Sequence, residues 1–254
     1  MEEHEILPGF IRPTFAPMIF RDEAGNVIPY GDRWGDEVPP DDSYSVDPHR
    51  ERFAPVQEVA TALIDFLAQT YLITVDEDLA HGRDLVRPSS DVARAVRLQP
   101  SDDGCSPLTL VFSGYPAVHC HAGWSVETIV PSCGCDACDE TWEGSADDLE
   151  TWVDNVVNGH IVEAFEPAVV GGHRITFRDR DGALRSERWN GGIDPELFVT
   201  TPLREQDLPL TVSWKPWPLR AGSPAGPGSL TTQSESREQY RSGRIADVVS
   251  PHDR

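Results

Sequence analysis

Four short apolar runs, at 93–98, 107–112, 117–121 and 124–130, follow one another with turn signals at Asp103-Gly104, Ser113-Gly114 and Ala122-Gly123 between them. Runs of this length, punctuated by glycine, predict consecutive antiparallel strands in a meander. A helical stripe lies on each side. Val56, Val59, Ala60, Leu63, Leu67 and Tyr71 recur at three- and four-residue spacing, with Pro55 suited to a first turn, so a helix is expected from 52–55 to 71–74. Leu149, Trp152, Val153, Val156, Val157, Ile161 and Phe165 repeat the pattern, with Ser145 and Asp148 as a start signal and Pro167 as a stop. A hairpin over 174–178 and 184–189 turns at Asp181-Gly182, and a last strand is expected at 210–214.

These elements predict an α+β fold: an antiparallel sheet of about five to seven strands packed with two main helices. The expected domain spans residues 50–219. Residues 1–49 read as a loop-rich arm, broken by Pro8, Pro13, Pro17, Pro29, Pro39, Pro40 and Pro48, whose Phe10, Phe15, Phe20, Tyr30 and Trp34 pack on that domain. Residues 220–254, dominated by Gly, Pro, Ser, Thr and Arg, are expected to be a disordered tail.

Between the strand at 124–130 and the second helix, Ser132-Cys133-Gly134-Cys135-Asp136-Ala137-Cys138-Asp139-Glu140 holds three of the five cysteines. A loop entering a helix can turn such a set towards one point, as tetrahedral zinc requires, so Cys133, Cys135 and Cys138 are candidate ligands. Upstream, His119-Cys120-His121 lies on an expected strand, which sends His119 and His121 to one face and Cys120 to the other. Any of these three is a candidate fourth ligand, with Asp136 or Asp139 as carboxylate alternatives. The same cysteines permit thiol-redox chemistry near a helix N-terminus, against which the surrounding carboxylates act. A third reading is a packing corner of small residues around Gly134.

Charge narrows the partners. The chain carries a formal net charge of −22, and residues 98–173 contain thirteen acids and no lysine or arginine. Such a surface repels nucleic acid and anionic membranes and suits a basic protein or a cation. Met1-Glu2-Glu3-His4-Glu5 is no signal peptide, and no run reaches the length of a membrane span, so a cytoplasmic protein with reduced thiols is expected.

Familiar enzyme patterns do not fit. A deaminase-type zinc site uses H-x-E and P-C-x-x-C. Here Gly123 stands in place of the glutamate and Ser132 follows Pro131. No dinucleotide fingerprint, P-loop, H-E-x-x-H or G-x-S-x-G is present.

Several segments carry a resemblance: Pro29-Tyr30-Gly31, Arg33-Trp34-Gly35, Pro39-Pro40 to Tyr44-Ser45, Arg52-Phe53-Ala54-Pro55, the cysteine segment through Thr141, and Trp214-Lys215-Pro216-Trp217-Pro218. Over roughly residues 28–219 the chain is similar to an uncharacterised actinobacterial family, a domain of unknown function bearing the Cys-Gly-Cys-Asp-Ala-Cys-Asp-Glu motif. The resemblance implies a cytoplasmic setting and no particular activity. The functional expectation is a non-enzymatic acidic binding or accessory protein with a structural zinc site, in its specific version an immunity-type partner of a basic protein. The alternative is a thiol-redox or metal-dependent enzyme using Cys133, Cys135 and Cys138.

Overall fold

The computed structural model of the chain describes residues 6–166, 172–179, 182–189 and 211–223. The first helix, α1 (Ala54–Thr70), follows a short 3-10 turn at Arg50–Phe53 and has Pro55 in its first turn, where a missing N–H costs no hydrogen bond. Its stripe of Val56, Val59, Ala60, Leu63, Ile64 and Leu67 is buried. It leads into β1 (Ile73–Glu77), and a meander follows: β2 (Arg94–Pro100), β3 (Leu108–Phe112), β4 (Val118–Ala122) and β5 (Val126–Val130). These five strands pair in sequence order, all antiparallel.

The side chains of Val96, Leu98, Leu108, Leu110, Val118, Cys120 and Ala122 meet both helices in one core. Burying an aliphatic side chain there stabilises the fold by about 1.5–3 kcal/mol relative to exposing it. A 3-10 segment at Leu79–Asp84 crosses the opposite face of the sheet. There Leu85, Ala95 and Val111 form a small second cluster.

The second helix, α2 (Trp142–Val157), starts three residues before the expected signal, because Thr141 Oγ1 accepts the Gly144 N–H at 3.1 Å. It ends well before Pro167. Gly159 adopts φ +65°, and a Cβ there would lie 2.6 Å from the Trp214 carbonyl oxygen, so glycine is required at this turn. Ile161 still reaches the core, which explains why the apolar period runs on while the backbone changes.

A second antiparallel sheet follows: β6 (Val162–Glu166), β7 (Gly172–Arg178), β8 (Leu184–Trp189) and β9 (Thr211–Ser213), in the order β8-β7-β6-β9. The α+β class and its two main helices are therefore as expected, with the strands divided between two sheets. Buried Glu163 on β6 joins the sheets, accepting the Trp124 N–H at 3.0 Å, the Ser125 N–H at 3.1 Å and the Trp214 indole N–H at 2.9 Å.

The segment after β9 straps the body. Trp217 is 3% exposed, and its indole donates to the Ser106 carbonyl at 2.8 Å. The Arg220 N–H donates to the Thr70 carbonyl at 2.9 Å. The tail expectation from 224 onward lies outside the described residues. Residues 6–49 contain a single 3-10 turn at Asp41–Ser43 and the bridge Arg21↔Val27 among the described elements. Phe10 packs on Phe66 of α1 and Phe15 on Trp142 of α2. No described helix is long and apolar enough to cross a membrane.

Candidate metal centre

The chain leaves β5 through a cis Val130–Pro131 bond and forms a loop before Thr141 caps α2. Glu140 closes this loop: its carboxylate accepts the Ser132 and Cys133 backbone N–H groups, each at 3.0 Å, and the Ser132 hydroxyl. Closure brings the three cysteines together. The sulfurs of Cys133, Cys135 and Cys138 all lie within 4.8 Å of one another, and Cys133 and Cys135 are 3.2 Å apart. Cys135 is 9% exposed, Cys133 is half-buried and Cys138 faces solvent.

The N-terminal arm frames the loop. The buried Asp136 carboxylate accepts the Tyr30 hydroxyl at 2.9 Å and pairs with Arg33 Nη1 at 2.6 Å. The Trp34 indole donates to the Asp136 carbonyl at 3.0 Å, and the Arg33 N–H to Asp139 Oδ2 at 2.8 Å. In return, the Asp136 N–H donates to the Val46 carbonyl at 2.7 Å and the Ala137 N–H to the Ser43 carbonyl at 3.1 Å. Burial, followed by the bond to Asp136, pushes the Tyr30 phenol up to about 12.

Arg52 holds the loop from below. The residue is 2% exposed, and its guanidinium donates to the Gly134 carbonyl at 2.8 Å and the His49 carbonyl at 3.1 Å and stacks on Tyr30 and Phe53. At Gly134 a Cβ would lie 1.6 Å from the Tyr115 hydroxyl oxygen, so only glycine lets Tyr115 approach this closely.

The sulfurs are chemically unequal. Burial raises the Cys135 thiol, but hydrogen bonds from Cys133 and from the backbone and thiol of Cys138 outweigh it and bring Cys135 down to about 7. Its hydrogen bonds to Cys133 and Cys135, with burial third, push Cys138 up to about 12. Cys135 therefore holds a thiolate more readily than Cys138, stabilised by its hydrogen bonds from Cys133 and Cys138. Three such groups converging on one point can coordinate a soft or borderline metal ion.

The other expected donors lie elsewhere. Cys120 is wholly buried in the core between the helices and the sheet, and burial pushes its thiol up. His119 and His121 project from the opposite face of β4, paired across the strands with Ile129 and Glu127. Burial lowers the His119 imidazole and brings His121 down to about 4, Asp84 opposing and Arg97 assisting. None of the three belongs to the sulfur group. Asp136 is committed to the arm, and Asp139 gives it Oδ2 while its buried Oδ1 has no hydrogen-bond partner.

Sequence reasoning missed the frame formed by Tyr30, Arg33, Arg52 and Glu140. One signal for it was present: the segments at 29–35, 52–55 and 132–141 that carry the family resemblance meet at this one place.

A family model matches residues 16–221, taking in most of the arm, both helices, the five-stranded sheet and the cysteine loop. Comparison with curated proteins and with solved structures returns no match. The chain belongs to the family of unknown function DUF6226.

Proposed function

We propose that Cys133, Cys135 and Cys138 hold a metal ion, zinc in the first instance, which fastens the N-terminal arm to the body of an acidic, non-enzymatic binding protein. The observation that carries this reading is the convergence of three sulfurs within 4.8 Å at the point where the arm hydrogen-bonds to the loop. Thiolate-bound zinc contributes folding free energy directly, and here it would act on a loop with little apolar packing of its own. A fourth ligand is part of this reading, and His119, Cys120 and His121 would need β4 to move to supply it.

Elemental analysis of protein purified without chelator tests the site. About one zinc per chain is expected, with chelation exposing the 30–46 segment to protease. Protein free of metal, with an equally protected arm, would contradict it.

The partner in this reading is a basic protein, bound in the manner of an immunity or inhibitor protein. The net charge of −22 and the segment 98–173, free of lysine and arginine, support it. Opposite charge accelerates such encounters and makes them fall steeply with salt. A partner whose association rate ignores ionic strength would sink this part of the proposal.

Thiol-redox chemistry is the second reading, favoured by the Cys135 thiol at about 7 and its 3.2 Å approach to Cys133 Sγ. It predicts alkylation of Cys135 well ahead of Cys105 and Cys120 in metal-free protein.

A further inference from the structure

We infer that the three-sulfur cluster is a binding site for a soft, three-coordinate trivalent metalloid, of which arsenic(III) is the representative. The inference rests on the metal-centre reading above and names a different preferred ion for the same site.

Three observations carry it. First, the donor group is three thiols and no other His, Cys, Asp or Glu among the described residues. Of the nearby oxygens, those of Asp136 are engaged by Tyr30 and Arg33, Asp139 Oδ2 by the Arg33 N–H and those of Glu140 by Ser132 and Cys133, while the buried, unpartnered Asp139 Oδ1 lies outside the sulfur group. A converging group made of thiolates alone selects soft ions over hard ones.

Second, one of the three sulfur pairs is narrow, the others lying within 4.8 Å. Zinc–sulfur bonds of about 2.3 Å in a tetrahedron place the sulfurs about 3.8 Å apart. Cys133 and Cys135 stand 3.2 Å apart. An ion with a stereochemically active lone pair binds three thiolates as a pyramid with angles closer to a right angle, which draws the sulfurs together.

Third, charge favours a neutral product. Zinc with three thiolates leaves a net negative complex, whereas arsenic(III) with three thiolates is neutral. Residues 98–173 contain thirteen acids and no lysine or arginine, and of the two guanidinium groups that reach the loop Arg33 is paired with Asp136 while Arg52 donates to the Gly134 carbonyl, so a neutral complex leaves this balance undisturbed. Exposed Cys138 provides the entry point.

The exchange balances without a redox partner. Arsenous acid, As(OH)3, loses three As–O bonds and gains three As–S bonds. Each thiol proton leaves with a hydroxide as water, so three waters are released and arsenic stays trivalent.

The test titrates the full reduced chain with arsenite and, separately, with zinc. Bound ion is followed by intact-protein mass, near-ultraviolet sulfur-to-arsenic absorption and peptide mapping of alkylated cysteines. One arsenic per chain is expected, with three protons lost. Protection should be confined to Cys133, Cys135 and Cys138, and the affinity at least about tenfold above that for zinc. Cys138→Ser, at the exposed position and thus least able to unfold the chain, should remove the absorption band.

Zinc that protects the same three cysteines, recruits a fourth protein ligand and resists arsenite would overturn this inference while keeping the metal centre. Failure of both ions to protect any of the three would overturn both. Arsenite protection that includes Cys105 or Cys120 would overturn the site assignment.

Discussion

Two stretches rich in metal-ligating residues lie within twenty residues of each other, and the fold treats them in opposite ways. His119-Cys120-His121 sits on β4, where alternation sends Cys120 into the core and the two histidines to the other face. Three donors adjacent in sequence are thereby kept apart. Cys133, Cys135 and Cys138 sit in a loop, where the closure by Glu140 brings all three sulfurs within 4.8 Å. A strand disperses neighbouring donors, and a loop can gather them. The loop has little apolar packing to hold that shape, so it borrows its rigidity from the arm through Asp136 and Arg52.

Four perturbations break or sharpen this comparison. The largest effect is expected at Asp136→Ala, which removes the partner of Arg33 and Tyr30 and should cost about 3–4 kcal/mol in urea unfolding, with early cleavage of the arm. A loss no larger than that of an exposed-site control would mean the loop does not depend on the arm.

The β4 face responds to pH instead. His121, brought from 6.5 to about 4, binds its proton more readily when unfolded, so its contribution is complete above about pH 6.5 and is lost as pH falls to about 4. The full loss is about 3 kcal/mol. Glu127 across the strand pair has the opposite sign. Burial raises it from 4.5 to about 7, so the folded state takes up the proton first and gains stability as pH falls from about 7 to 4.5. Glu127→Gln should therefore steepen the acid loss below pH 6.5, while His121→Gln should flatten it. Identical pH profiles for both variants would contradict the assignment.

Gly134→Ala drives a methyl group into the Tyr115 hydroxyl and should cost about 2 kcal/mol, partly recovered in the double variant with Tyr115→Phe. Strict additivity of the two would show that the contact is not the cause. The smallest effect is expected at Cys120→Ala, about 1 kcal/mol for a small core gap, with metal stoichiometry unchanged. Loss of metal in that variant would return Cys120 to the ligand set.

Much of this architecture is legible in local pattern. The α1 stripe and the four runs of the meander appear where the pattern places them, because α1 is buried along one face and the strands, β3 on both faces, are short apolar runs between glycine turns. Three features escape. β1 was unread, since four of its five residues are exposed and polarity hides an edge strand. The end of α2 was read too late, because Ile161 keeps the helical period after Gly159 has turned the backbone. The division into two sheets is invisible to periodicity, which reports faces and not neighbours. At the site, the sulfurs are legible because they are close in sequence. Tyr30, Arg33 and Arg52 are not, because they reach the loop from 82 to 106 residues away.

Differential alkylation of the native chain, with and without one equivalent of zinc, measures the central claim most directly. Cys135 and the half-buried Cys133 should react ahead of Cys105 and Cys120 in metal-free protein, and Cys133, Cys135 and Cys138 should all be protected when zinc is added. Equal labelling of Cys133 and Cys135 with and without the ion would contradict a metal centre in this loop.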